Sequence, residues 1–484
     1  MKDLLVYDRT TQALSQVAGR LGWDQETMMP HKAAPQRAEE MGAMEEVLHA
    51  RATAPEMGEL IASATPATQA EHAILRELKT SYARTSKIPA DLATETVRVT
   101  SMAQGIWAQA RADDDFAGFA PTLEKVVALK REAGQALADG GDTYDALLAD
   151  YEPHTSAADI QTMFNALRPE LVALRAAVLE RPMPPALNHK FDEAVQLKLS
   201  TKLAQVFGYN ADHGRIDKAV HPFSSGSGLD VRITTRVDEA DPFNCIYSTI
   251  HEVGHACYEQ NVSPDYHLTA IGQGASMGVH ESQSRIYENQ IGRGQAFTSW
   301  LYGEMRDQFG DFGVACADEF YKIVNRVSNG YIRTEADEVQ YNLHVMLRFD
   351  LERAMISGDL AVRDLETAWN DRFEADFGYA VPKPSLGCLQ DVHWSAGLFG
   401  YFPTYTLGNV YAGSLFEALC RDIANLDDAL AKGDFSPAGD WLKEKVQTLG
   451  ALKSPLETIT DACGFAPSGK NLVNYLNRKF NELY

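Results

Sequence analysis

Apolar residues recur at three- and four-residue spacing through residues 33–62, 158–180 and 190–208, set among Ala, Leu, Glu, Lys and Arg. That period gathers them on one side of a helix, so a chain written this way folds as packed amphipathic helices. Period-two alternation is clear in one place, Leu229-Asp230-Val231-Arg232-Ile233-Thr234-Thr235-Arg236-Val237, which reads as a strand. It follows a loose loop at 221–228 (HPFSSGSG) and precedes a helix opening at Pro242. Everything after 335 again reads as helical. The predicted class is therefore mainly α, with a small β-sheet just upstream of the Pro242 helix. Pro and Gly interrupt the helical runs near Pro55, at 140–145 and at 181–190 (RPMPPALNHK), the best candidate for a boundary or long connection.

The length of 484 residues admits about three domains of roughly 150 residues or one large helical body. Its 44 Lys and Arg against 67 Asp and Glu give a net charge of 44 − 67 = −23. Such a surface repels phosphate backbones and anionic membranes, and no basic patch offsets it, so neither nucleic acid nor membrane is expected as a partner. Six cysteines without a CxxC pair predict reduced thiols rather than a disulfide framework. The N-terminal residues show no signal-peptide h-region, and no stretch approaches roughly 18 uninterrupted apolar residues. A cytoplasmic location is expected.

The Pro242 helix carries His251-Glu252-Val253-Gly254-His255, an HExxH motif. Residues four apart lie one above the other on a helix, so both imidazoles can face one ion while Glu252, one step round, reaches a water beside it. That is the arrangement of a metal-dependent peptide hydrolase. A catalytic zinc takes three protein ligands and keeps one position open. Positions 258 and 261 are Tyr and Asn, so the HExxHxxGxxH pattern is absent and the third ligand should be a carboxylate. Glu259 lies one turn past His255 on the same face, a poor place from which to complete a tetrahedron. After the Gly-rich loop at 271–278 a new helical run opens with Val279-His280-Glu281-Ser282-Gln283-Ser284-Arg285. Glu281 is the preferred third ligand and Glu288 its competitor.

Three further clusters are denser in polar residues than a core supplies. In Ile332-Arg333-Thr334-Glu335-Ala336-Asp337-Glu338, Thr334 and Asp337 have the spacing of a helix N-terminal box, with Arg333 just before it. Arg suits bidentate capture of a peptide carboxylate, and Arg333 is the first choice, with Arg232 and Arg348 as substitutes. In the segments 387–394 (GCLQDVHW) and 400–405 (GYFPTY), His393, Tyr401 and Tyr405 are candidate donors to the oxyanion of a tetrahedral intermediate. The 229–237 strand is a candidate for pairing with an extended peptide.

Taken in order, these segments resemble the carboxypeptidase Taq family of metallocarboxypeptidases along most of the chain. Trp23-Asp24-Gln25-Glu26-Thr27-Met28-Met29-Pro30 looks like the family's WDxxTxMP signature, followed by Gln36-Arg37-Ala38. HPF stands at 221–223, DxRxT at 230–234, HExxH at 251–255, HESQSR at 280–285, IRxEADE at 332–338 and GxxQDxHW at 387–394.

The resemblance implies a zinc carboxypeptidase, one ion per chain with cobalt able to substitute, releasing single residues from peptides with a free C-terminus. It implies broad side-chain tolerance, weakness at proline and a homodimer. By carry-over, His251, His255 and Glu281 bind the metal and Glu252 is the general base. It further implies one peptidase domain over 1–484 with two helical lobes around a deep groove, similar to neurolysin and angiotensin-converting enzyme, and the metal segment 251–285 at the groove floor. The rival readings are a helical zinc oligopeptidase that cuts internal bonds, and a non-enzymatic peptide-binding protein with a vestigial motif.

Overall fold

A computed structural model describes residues 1–484. Twenty α-helices and three short strands make the class mainly α, and no helix is long and apolar enough to cross a membrane. The chain divides into two compact units. The first comprises Met1–Thr85, Pro184–Asn325 and Tyr411–Pro467; the second comprises Ser86–Met183, Arg326–Val410 and Ser468–Tyr484. One passage between them falls at Met183–Pro184, inside the Pro-rich 181–190 segment.

The first unit is built around helix Pro242–Asn261, whose Cys245, Ile246, Ile250, Val253, Ala256 and Cys257 are buried. Asp241 opens it, its Oδ1 accepting the Phe243 N–H at 3.0 Å, and Pro242 occupies the first turn, where a missing N–H costs nothing. Against it lie helix Glu193–Val206 and a three-stranded sheet of order β1 (Ile216–Lys218), β3 (Asp230–Thr235), β2 (Ser224–Ser227). Thr235 of β3 meets the helix through hydroxyls: Thr249 Oγ1 donates to the Cys245 carbonyl at 2.7 Å and lies 2.9 Å from Thr235 Oγ1.

Two expectations change here. The supposedly loose loop at 221–228 contains β2, antiparallel to β3 with Ser224 opposite Ile233 and Gly226 opposite Val231. Its Ser and Gly side chains carry no hydropathy signal, and a Cβ at Gly226 would stand 2.0 Å from the Asp230 carbonyl oxygen, so glycine is required there. Because β3 is paired on both sides, it has no free edge for a substrate strand.

The 33–62 run is two helices, Ala34–Ala52 and Pro55–Ser63, parted just before Pro55. None of the residues of Ala34–Ala52 is buried, so its apolar positions do not form a core face. Arg37 fastens it to the preceding helix, donating to the Leu21 carbonyl and Asp24 Oδ2, both at 2.6 Å. The Trp23-Asp24 signature is thus a clip at a helix end, with Thr27 Oγ1 donating to the Trp23 carbonyl at 2.7 Å.

The second unit centres on helix Tyr341–Ser357, which buries Leu343, Val345, Leu347 and Phe349 together with the polar His344, Arg348 and Glu352. Helices Phe116–Ala138, Ala157–Leu179 and Leu365–Phe377 also belong to it. The proposed Thr334/Asp337 box is not formed. Arg333–Glu335 is one 3-10 turn, and Asp337 closes the turn that precedes helix Tyr341–Ser357, accepting the N–H of Val339 and Gln340 at 3.0 and 3.1 Å. Nor is everything after 335 helical: apart from one short turn, residues 379–402 are irregular, and that stretch holds Asp391 and His393.

Candidate metal centre and arginine cluster

His251 and His255 project one turn apart from helix Pro242–Asn261. The facing helix, Met277–Arg285, starts at Ser276, whose hydroxyl accepts the Val279 N–H at 3.1 Å, and so brings Glu281 in its second turn toward them. Glu281 Oε2 stands 3.9 Å from His251 Nε2 and 3.5 Å from His255 Nε2, and the three ligand atoms lie within 4.8 Å of one another. Gly254, the second variable residue of the motif, makes this approach feasible. A Cβ there would stand 2.6 Å from the Gln283 carbonyl oxygen and from Ser284 Cα.

The other ring nitrogens are engaged. His251 Nδ1 donates to Glu288 Oε2 at 2.9 Å, so the sequence-level competitor for the third ligand sits on the far side of His251. His255 Nδ1 is 2.7 Å from His280 Nδ1, and His280 Nε2 is 2.9 Å from Glu259 Oε1. Both Nε2 atoms face Glu281. Two imidazoles and one carboxylate in this arrangement fit a divalent cation that prefers nitrogen and oxygen donors.

Arg285 braces the carboxylates. Its Nε donates to Glu281 Oε1 at 2.6 Å and its Nη1 to Glu288 Oε2 at 3.3 Å. Glu288 lies in a π-helical segment, Ile286–Gly292, that continues the Glu281 helix; such segments recur at functional sites. Burial alone raises the pKa of Glu281 and Glu288. The Arg285 charge and the His255 contact outweigh burial at Glu281, the His251 hydrogen bond followed by Arg285 outweighs it at Glu288, and both end well below the usual carboxylate range. Burial pushes Glu252 up to about 7, from where a bound dication would lower it. Burial also holds His255 down at about 3, as a neutral ligand requires.

Arg232 belongs to this unit but is paired within its own strand, Nε and Nη2 donating to Asp230 at 2.7 and 3.0 Å. Asp230 also receives Arg20 Nε at 2.9 Å.

The second unit brings Arg333, Arg348, Asp391, His393, Tyr401 and Tyr405 together. Arg333 Nε and Nη2 donate to Asp391 Oδ1 at 3.1 and 3.0 Å, and Nη1 donates to the Tyr341 hydroxyl at 3.0 Å. Arg348 Nε donates to Asp391 Oδ2 at 2.6 Å and Nη1 to the His344 carbonyl at 2.7 Å. Gln390 accepts the Arg333 backbone N–H at 2.8 Å. Sequence reasoning named both arginines but missed Gln390 and Asp391, which seat them; a Gln-Asp pair beside His393 was the available signal. Two buried guanidiniums and one carboxylate leave 2 − 1 = +1. Burial would raise Asp391, but Arg348 and then Arg333 hold it well below the usual range. His393 Nε2 lies 3.2 Å from the Tyr405 hydroxyl, and burial keeps His393 neutral, at about 3. The rings of Tyr401 and Tyr405 are 5.3 Å apart.

A family profile of carboxypeptidase Taq (M32) metallopeptidases matches residues 3–480. Thermostable carboxypeptidase 1 of Thermus thermophilus is 38% identical, with 100% of this chain and 98% of that protein aligned. Carboxypeptidase 1 of Bacillus subtilis is 35% identical over 97% of this chain and 96% of its own length. The crystal structure of an M32 carboxypeptidase from Deinococcus radiodurans superposes with a TM-score of 0.97 at 36% identity, covering 100% of this chain and 99% of that one. Trypanosoma cruzi metallocarboxypeptidase 1 gives 0.96 at 32%, each chain 99% covered. With whole-length matches in both sequence and fold, and an HExxH helix facing a third carboxylate, this chain belongs to the carboxypeptidase Taq (M32) family of metallocarboxypeptidases.

Proposed function

We propose that the enzyme uses one zinc ion per chain, held by His251, His255 and Glu281, to release single residues from peptide C-termini. Side-chain tolerance would be broad and proline poorly handled. The observation that carries this reading is the convergence of two Nε2 atoms and one carboxylate oxygen within 4.8 Å, the His2Glu donor set of catalytic zinc. The same donors accept cobalt. When bound, the ion would supply Lewis acidity toward a water and toward the scissile carbonyl.

The protein's own groups do the rest. Glu252 takes the proton of the attacking water and passes it to the leaving amine, a role suited to a carboxylate whose burial lifts it toward neutrality. Arg333 holds the terminal carboxylate of the peptide: the +1 excess around Asp391 is a buried charge that an anion completes. Arg348, wholly buried against His344 and Asp391, supports Arg333, and Arg232 is satisfied by Asp230. His393, Tyr401 and Tyr405 donate to the oxyanion. A homodimer in the cytoplasm that binds neither nucleic acid nor membrane completes the proposal; the charge of −23 supports the last point.

A mass-spectrometric time course on mixed unblocked peptides, with and without chelator, tests it. Ladders shortened one residue at a time from the C-terminus are expected, abolished by chelator and absent from C-terminally amidated peptides. Internal fragments as first products would replace this reading with an oligopeptidase, and equal cleavage of acid and amide would remove the carboxylate anchor. Glu252→Gln should keep its metal and lose roughly 10²–10⁴-fold in kcat.

A further inference from the structure

We infer that His280 and Glu259 form a relay that fixes the tautomer and orientation of His255, so that metal affinity depends on two residues outside the ligand set. The inference rests on the metal-site reading proposed above.

The geometry admits one proton arrangement. For His255 Nε2 to offer its lone pair to a cation held beside Glu281, its proton must sit on Nδ1. His280 Nδ1, 2.7 Å away, must then accept, which places the His280 proton on Nε2. That atom is 2.9 Å from Glu259 Oε1, an acceptor only. The same oxygen receives the Gly274 N–H at 2.9 Å, which holds the carboxylate in place. Every link points the same way, from metal ligand to buried carboxylate.

The seat of His280 is built for this. Glu259 is the residue four after His255 on one helix, where the two would ordinarily touch directly. Instead the His280 ring enters between them from the facing helix, 4.8 Å from the His255 ring and 5.1 Å from that of Tyr258. Gly274 closes the far side. A Cβ there would stand 2.7 Å from His280 Cδ2 and 2.9 Å from Tyr258 Cε1. Glu259 is 6% exposed, and its Oε2 is buried without a hydrogen-bond partner. A buried carboxylate with one oxygen unused is costly for stability alone, and its remaining oxygen serves His280. His251 reaches a carboxylate directly, through Glu288; His255 does so through an inserted imidazole.

The test measures Zn²⁺ affinity of the full chain by competition with a chromophoric chelator, alongside the melting temperature of the metal-free protein. His280→Phe and Glu259→Leu should each weaken zinc binding by about 10- to 100-fold. Adding Glu259→Leu to His280→Phe should cost nothing further, because the relay is already cut. His280→Asn keeps an acceptor near the Nδ1 position and should recover most of the loss, which a packing role would not predict. Co²⁺-loaded His280→Phe should show an altered visible d–d spectrum. Wild-type affinity in both single variants, or losses that add in the double variant, would overturn the relay while leaving the metal site standing. Zinc retained by His255→Ala would overturn the site reading and the relay with it.

Discussion

Gly254→Ala adds one methyl group at the tightest point between the two ligand-bearing helices. Its carbon would stand 2.6 Å from the Gln283 carbonyl oxygen, 2.6 Å from Ser284 Cα and 2.9 Å from the Gln283 carbonyl carbon. Ordinary contact begins at 3.4 Å, so the helices must part by at least 3.4 − 2.6 = 0.8 Å. All three obstructing atoms are backbone, and no rotamer relieves them. Intrinsic propensity favours Ala over Gly in a helix by ~1 kcal/mol, whereas overpacking costs ~1–3 kcal/mol. The metal-free protein should therefore lose at most about 2 kcal/mol, a few degrees in melting temperature. Metal binding should suffer far more. Ligand distances tolerate about ±0.2 Å, and Glu281 rides on the displaced helix, so a shift of 0.8 Å is fourfold too large. Affinity should fall by at least the roughly 100-fold seen when a supporting residue is lost. The assay pairs chelator competition with thermal melting of the metal-free form. A variant that binds zinc as tightly as wild type while melting at or above its temperature would refute the claim that Gly254 sets the helix separation. A variant that fails on both counts equally would show a folding defect instead.

Asp391→Asn leaves the buried guanidiniums of Arg333 and Arg348 without their shared anion and should cost ~3–5 kcal/mol in urea unfolding; a loss under about 1 kcal/mol would show that the charge is compensated elsewhere. Glu352 is wholly buried and accepts hydrogen bonds from the Tyr144 hydroxyl at 2.8 Å, Trp394 Nε1 at 2.9 Å and the Gly400 N–H at 3.2 Å. Burial nevertheless pushes it up to about 7 from an ordinary 4.5. A raised carboxyl pKa stabilises the fold fully below 4.5, and that contribution is lost as pH rises through 7. Wild-type stability relative to Glu352→Gln should thus be about 3 kcal/mol smaller at pH 8 than at pH 4. A pH-independent difference in paired urea titrations would refute it.

Much of what was local along the chain could be read from the sequence, the Thr334/Asp337 box and the irregular 379–402 stretch excepted. The motif helix follows from Pro242 and an apolar period, and the paired imidazoles from a four-residue spacing, whereas the choice of Glu281 over Glu288 rested on the family resemblance. Features set by pairing across the chain were not legible. Strand β2 is Ser-Ser-Gly-Ser and holds its place only through the β3 backbone. The central position of β3, which withdraws it from peptide binding, depends on the short strand at Ile216–Lys218. The helix over Ala34–Ala52 has an apolar period and buries nothing, because periodicity reports a face and not whether anything covers it. Glu259 was set aside as a ligand on sound helical geometry, but its link to His255 passes through a ring 21 residues away in sequence.

The metal-site carboxylates share Arg285, and Glu288 also receives Arg293 Nη2 at 3.3 Å and His251 Nδ1 at 2.9 Å. Arg285 follows Glu281 by four residues and precedes Glu288 by three, so a single guanidinium reaches both. The π-helical segment that begins at Ile286 carries Glu288 beside His251 without losing that contact. Glu281 and Glu288 are thereby kept ionised, one toward the metal position and one toward the Nδ1 proton of His251. Glu252 is on the motif helix, one residue past His251, where burial is its largest influence, and it rises to about 7. Carboxylates in one site whose environments drive their pKa values apart sort into permanent anions and a proton carrier. Such a separation is what the proposed base role of Glu252 requires, and Arg285, Arg293 and His251 supply the anionic half of it with identical side chains throughout.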